Sequence, residues 1–135
     1  RPLSETDQLL VKADNGLSLN EYEKASQLYN EVLAKKPADD DQALALYGLV
    51  QVHSKQQQYR ELIDAAKQLV VLHPPKETWV VPHGYYQMGL AYTKLGQTGE
   101  ARKAFEAVRN YSDYDFETRL QARVEQELKK LDAVN

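Results

Sequence analysis

The residues best suited to metal ligation or proton transfer are three histidines, His53, His73 and His83, and their spacing serves neither role. None falls in a His-x-x-x-His or Glu-x-x-His pattern, which would place two ligands on one helix face. Nucleophilic catalysis needs a serine, threonine or cysteine beside a base, with an oxyanion site nearby. Cysteine is absent, and no Gly-x-Ser-x-Gly elbow occurs. Gly96-Gln97-Thr98-Gly99 lacks the lysine of a phosphate-cradling loop and reads as an interhelical turn. Asp39-Asp40-Asp41 is open to two readings, a calcium site or the start of a helix. The Gly turn and distal Glu of a calcium loop are missing, whereas carboxylates ahead of Gln42-Ala43-Leu44 suit the positive end of a helix and offer an N-cap. The remaining paired carboxylates fall at solvated helix ends. The sequence thus predicts no enzyme, no metal site and no cofactor.

What stands in place of chemistry is helical organisation. Tyr85, Met88, Tyr92 and Phe105 form a stripe that fills a helical hairpin, and Gly89 and Ala101 are small where its two helices cross. Gly96 ends the first helix of that hairpin in the left-handed conformation. The same spacing recurs upstream. Ala25-x-x-x-Tyr29 repeats Ala101-x-x-x-Phe105, and Ala13 precedes Ala25 by 12 residues, as Gly89 precedes Ala101. Tyr22 to Tyr59 and Pro37 to Pro74 are both 37 residues, and Tyr59 to Thr98 is 39. In the middle unit Leu62 takes the place of the alanine; Val50 rather than Gly48 is read as its small-residue counterpart, 12 residues before it.

The chain itself is predicted as follows. A helix over about 3–15 is capped by Ser4 and stopped by Gly16. The capping box Ser18-Leu19-Asn20-Glu21 opens the next helix, which runs to about Lys35. A helix over about 42–55 pairs with one that begins near Tyr59 and ends before His73-Pro74-Pro75. Residues 74–82 form an extended linker or loose first turn, in which Trp79 either plugs a gap between units or binds a partner. After the third hairpin comes a polar turn at Asn110–Tyr114, then a helix over about 115–131. Its apolar residues Phe116, Leu120, Val124, Leu128 and Leu131 are spaced by four, four, four and three, opposite a charged face that includes Arg119 and Arg123.

At 135 residues the chain has the size of one domain, with 42% hydrophobic and 27% charged residues as in an ordinary globular protein. A net charge of −3 argues against a nucleic-acid surface. The longest apolar run, Leu69-Val70-Val71-Leu72, is far too short to span a bilayer. No signal peptide or initiator methionine is present, as in a fragment of a longer protein. The absence of cysteine suits the reducing cytoplasm.

Tyr85-x-x-Met88-Gly89-x-x-Tyr92 followed by Ala101-x-x-x-Phe105 resembles the tetratricopeptide repeat. The resemblance implies an all-α, right-handed α-solenoid: three hairpins over about 3–37, 40–74 and 80–110, plus a capping helix over about 115–131, in a single domain spanning 1–135. Residues 78–131 are more specifically similar to the carboxy-terminal repeats of the family joining the fungal inclusion-body-clearance proteins with the tetratricopeptide repeat protein 39 group. That likeness is carried by Trp79-Val80-Val81-Pro82, Tyr85-Tyr86, Gly89-Leu90-x-Tyr92 and Asn110-Tyr111-Ser112-x-Tyr114-x-Phe116-Glu117-x-Arg119-Leu120-x-x-Arg123. It implies an adaptor linked to protein quality control or lipid homeostasis, with only indirect association with lipid droplets.

In such stacks the first helix of each hairpin lines a concave groove that holds a partner protein or peptide. Here Leu10, Asp14, Tyr47, Gln51, Lys55, His83, Tyr86, Leu90 and Lys94 are expected to line it, with Tyr47 and Tyr86 as exposed aromatic anchors. The alternative is structural: the groove packs against the rest of its own chain or against another copy. Repeats of this kind that clamp acidic tails do so with lysine, arginine and asparagine; the corresponding positions here are Leu10, Asp14, Gln51, His83 and Gln87, of which only Gln51 is chemically near the pattern, and Asp14 would repel a carboxylate.

Overall fold

The computed structural model describes residues 3–134; Arg1, Pro2 and Asn135, the ends of the expected domain, lie outside them. Seven helices and no strand occur among the described residues: α1 (Glu5–Ser18), α2 (Tyr22–Ala34), α3 (Asp39–Lys55), α4 (Tyr59–Leu69), α5 (Val80–Lys94), α6 (Thr98–Val108) and α7 (Glu117–Val134). α1 packs with α2, α3 with α4 and α5 with α6; α2 meets α3 and α4 meets α5, and the first helices of the three pairs also neighbour one another. The result is an all-α helical repeat solenoid.

The three turns within the pairs share one backbone solution. Asn20, Gln57 and Gly96 stand at φ 62°, 58° and 75°. The next amide in each case donates to a carbonyl five residues back: Glu21 to Gly16 at 2.8 Å, Gln58 to His53 at 2.9 Å and Gln97 to Tyr92 at 2.9 Å. The left-handed residue's own amide donates three residues back, to Leu17, Ser54 and Thr93. This is the Schellman arrangement, which satisfies the last carbonyls of a helix while reversing the chain. Only Gly96 adopts it at little steric cost, as its glycine predicts.

This solution corrects two expectations. Gly16 does not stop α1. It lies buried inside the helix, where an added Cβ would stand 3.6 Å from that of Ala25, so it marks a close helix contact. Nor does a capping box open α2: Ser18 is the last residue of α1, and Glu21 precedes α2 without a side-chain cap bond. Left-handed Asn20 turns the chain between the two residues that would have paired. The expected Ser4 cap is present, with Asp7 N–H donating to Ser4 Oγ at 3.0 Å and Asp7 reaching back to the Ser4 amide.

α3 begins at Asp39, three residues earlier than predicted, with Ala38 rather than an aspartate before its first turn. The carboxylates lie at the positive helix end as expected, and two of them hold a distant segment. Asp39 Oδ2 accepts from the His73 amide at 3.1 Å, and Asp40 Oδ1 accepts from the Lys76 and Glu77 amides at 3.0 Å each. The segment after α4 is thereby tied to the head of α3. It also ends sooner than predicted, since Val80, Val81 and Pro82 are buried and helical. Proline fits there because the first-turn amides of a helix have no internal partner.

Aromatic rings fill the spaces that glycines leave. A Cβ on Gly48 would stand 2.2 Å from the Tyr29 ring, and one on Gly89 would stand 2.5 Å from Phe105. Gly89 thus makes room for a ring one turn beyond Ala101, and Gly48 for a ring of the preceding pair. The double role of the Gly48–Val50 segment follows: Gly48 receives Tyr29 while Val50 is fully buried. Tyr29 and Phe105 are themselves completely buried, each worth about 1.5–3 kcal/mol of apolar transfer.

α7 packs on α6 and touches α5. Leu120, Val124, Leu128 and Leu131 are buried as the spacing predicts, but Phe116 is not: it is 67% exposed at φ 66°, before the helix, with Arg119 over its ring at 5.8 Å. Tyr114, read as part of a polar turn, is buried in its place.

Candidate partner-binding groove

The facing sides of α1 and α3, with Trp79 just before α5 and Gln87 within it, border two adjoining clefts. One, of about 300 Å³, is lined by Leu10, Asp14, Leu17 and Ser18 of α1, by Leu44, Tyr47 and Gln51 of α3, and by Trp79. The other, of about 470 Å³, continues from Leu17, Ser18 and Gln51 to Asn20, Ser54, Lys55 and Gln87. On α1, positions 10, 14, 17 and 18 share a helix face, as do 44, 47, 51, 54 and 55 on α3, so helical periodicity alone aims them at the same space. The first cleft is mostly apolar and aromatic; the second is mostly amide and hydroxyl.

Asp14 is fixed by the chain. The buried Tyr29 hydroxyl donates to Asp14 Oδ1 at 2.5 Å. Burial first, then the bond to Asp14 and its charge, push the Tyr29 phenol above its ordinary range. Tyr47 meets Trp79 edge-on with ring centroids 5.3 Å apart, and Trp79 Nε1 donates to Glu77 Oε2 at 2.8 Å. Burial pushes the Tyr47 phenol up to about 12. Its hydroxyl takes no hydrogen bond among the described residues and remains available at the cleft.

Of the expected site residues, the clefts bring together Leu10, Asp14, Tyr47, Gln51 and Lys55. His83, Tyr86, Leu90 and Lys94 line neither. His83 is half-buried beside Tyr47, Trp79 and Tyr114, with centroids at 6.5, 5.5 and 6.2 Å, and its Nδ1–H donates to the Trp79 carbonyl at 2.9 Å. Burial holds its pKa below the ordinary value; the charge of Arg123 acts in the same direction, while the carbonyl bond opposes. Tyr86 rests on Phe105 at 5.9 Å, Leu90 is half-buried against the core, and Lys94 is exposed in the last turn of α5. Tyr47 and Tyr86, expected as exposed anchors, are both half-buried. Each ring packs on a neighbouring aromatic, which removes most of its area from water.

Leu17, Ser18, Leu44 and Ser54 escaped the sequence reading. For the first two the signal was present: they follow Leu10 and Asp14 at helical spacing, hidden only because Gly16 reads as a stop. No group of three or more His, Asp or Glu placed to hold a metal ion occurs among the described residues, and no helix among them is long and apolar enough to cross a membrane.

An all-α repeat solenoid with clefts between its first helices defines a class of protein by its fold, and the comparisons agree. Residues 82–108 match the tetratricopeptide repeat family. A tetratricopeptide-repeat-like protein from Chlorobium tepidum TLS has the same fold, with a TM-score of 0.71 over 94% of either chain at 16% identity. No curated protein matches the sequence. The chain thus carries a tetratricopeptide repeat within a tetratricopeptide-like fold, a kind of array that generally serves protein–protein interaction.

Proposed function

We propose that the chain is a non-catalytic protein–protein interaction module, an adaptor or scaffold that holds a partner segment in the groove between α1, α3 and the start of α5. In this reading residues 1–135 act as one domain of three repeats and a cap, in the cytoplasm. The observation that carries it is the continuous pair of clefts: apolar at the Leu10–Trp79 end, lined by amides and hydroxyls at the Asn20–Gln87 end. Apolar walls supply binding energy, and side-chain amides can pair with the backbone of an extended segment. Tyr47, Gln51 and Lys55 carry the contact, and His83, Tyr86, Leu90 and Lys94 support or extend it. The likeness of residues 78–131 to the inclusion-body-clearance and tetratricopeptide repeat protein 39 family supports a role in protein quality control or lipid homeostasis.

The test compares proteins captured from a cell extract by the native chain with those captured after Gln51→Arg and Leu44→Arg block the groove. Loss of the same captured partner with both variants is expected. Unchanged capture by variants that keep their helical content would overturn the groove reading. A particle mass equal to a dimer, with the groove protected from exchange, would favour self-association instead.

A further inference from the structure

We infer that the apolar end of the groove receives a lysine or arginine side chain of the partner segment, an inference that rests on the groove reading above. Three leucines, the Tyr47 and Trp79 rings and a single charged group, Asp14, line that cleft. Such walls suit a long aliphatic stem that ends in a cation, which can bury its methylenes while its head meets the carboxylate and the aromatic rings. Asp14 is already oriented for the purpose. Its Oδ1 accepts from the neutral Tyr29 hydroxyl, which fixes the carboxylate without cancelling its charge. No basic side chain pairs with it among the described residues.

Further acidic groups belong to the elements that line this cleft. Asp41 lies one turn before Leu44, and Glu77 accepts from the Trp79 indole; the opposing cation is Arg123, whose charge acts on the neighbouring His83. Burial is the main cause that raises the Asp41 pKa, and the acidic charges of Asp7, Asp40 and Glu77 raise it further. The other end of the groove presents Lys55 among uncharged amides and hydroxyls and so rejects a second cation. From Leu44 to Lys55, α3 spans about 16 Å at about 1.5 Å per residue, enough for about five residues of extended chain at about 3.3 Å each. The occupant is therefore an extended segment with a basic residue at its Trp79 end and none at its Lys55 end.

The test titrates the intact, isotope-labelled chain with capped pentapeptides Leu-X-Leu-Gln-Leu, where X is lysine, norleucine or glutamate. Norleucine keeps the stem and removes the charge. The lysine peptide is expected to bind up to about fivefold tighter than the norleucine peptide, the upper end for a pair with the exposed Asp14 carboxylate, and to shift the amides of Asp14, Tyr47 and Trp79. Asp14→Asn still accepts the Tyr29 hydroxyl bond; it should bring the lysine and norleucine peptides to equal affinity. Equal binding of lysine and norleucine in the groove would overturn the inference and leave the groove reading standing. Preference for glutamate, or no groove shift with any of the three, would also overturn it; the capture experiment then judges the groove reading separately.

Discussion

Tyr29 shows how one residue can carry both packing and site geometry. Its ring fills the space against Gly48 while its hydroxyl holds Asp14. The ring cannot retreat without breaking that bond, so Gly48→Ala should overpack the contact and cost about 1–3 kcal/mol. Gly99→Ala, in α6 with open space around it, should instead stabilise the fold by up to about 1 kcal/mol, because alanine loses less backbone freedom. Urea denaturation midpoints measure both, and a Gly48→Ala midpoint as high as the native one would refute the contact. Sequence spacing shows that Gly48 lies on a buried face but not which ring meets it, since that ring comes from another helix pair. His83 sets a pH dependence at the same scale. The folded chain favours its neutral form, so between the depressed folded pKa and the unfolded value of 6.5 the unfolded chain binds more protons. Stability should fall as pH drops through that window. His83→Gln should flatten this part of the profile, and a native midpoint constant from pH about 7.5 to about 5.5 would refute the assignment.

At the scale of the element, the turns and the last helix matter most. Helix positions were legible because apolar residues recur at three and four, and the equal steps of 37 residues reflected equal pairs. The turn mechanism was not legible: two of the three left-handed positions are held by Asn20 and Gln57 rather than glycine. Tertiary packing of the paired helices imposes the conformation on residues that do not favour it. Gln57→Gly should therefore raise the denaturation midpoint, recovering about 1 kcal/mol of left-handed strain; a lower midpoint would show that the Gln57 side chain contributes more than its backbone costs. α7 closes the stack through Leu120, Val124, Leu128 and Leu131, and Arg109 holds Glu125 by two bonds of 2.9 and 2.7 Å at the exposed edge. Removing residues 115–135 should uncover the apolar face of α6 and cause aggregation. Light scattering decides this: a monomeric truncated chain that unfolds cooperatively would show α7 to be dispensable. Phe116 misled the periodicity because an aromatic at the right spacing lies just outside the helix, where φ 66° turns it to solvent.

Across the whole molecule, the fold was legible and the groove only in part. Each helix announces its buried face, whereas a groove depends on how three helices are set against one another. The expected α3 residues Tyr47, Gln51 and Lys55 therefore line the clefts, whereas His83, Tyr86, Leu90 and Lys94 of α5 do not. His83 and Tyr86 are held by other rings instead: His83 packs among Tyr47, Trp79 and Tyr114, behind the cleft walls, and Tyr86 rests on Phe105 of α6. This arrangement also decides what the groove rejects. Leu10, Asp14, Gln51 and Gln87 line the clefts with one carboxylate and no cation among them, and His83 is half-buried with its neutral form favoured. Among the described residues Lys55 is the one cation on the walls, and a lone exposed pair of charges is worth only about 0–1 kcal/mol. The acidic groups at the opposite end would repel an anionic segment. A peptide ending in Glu-Glu-Val-Asp should accordingly produce no saturable chemical-shift change and no heat on titration. Micromolar affinity that disappears in high salt would overturn this expectation, because it would require a carboxylate clamp that the walls of this groove do not contain.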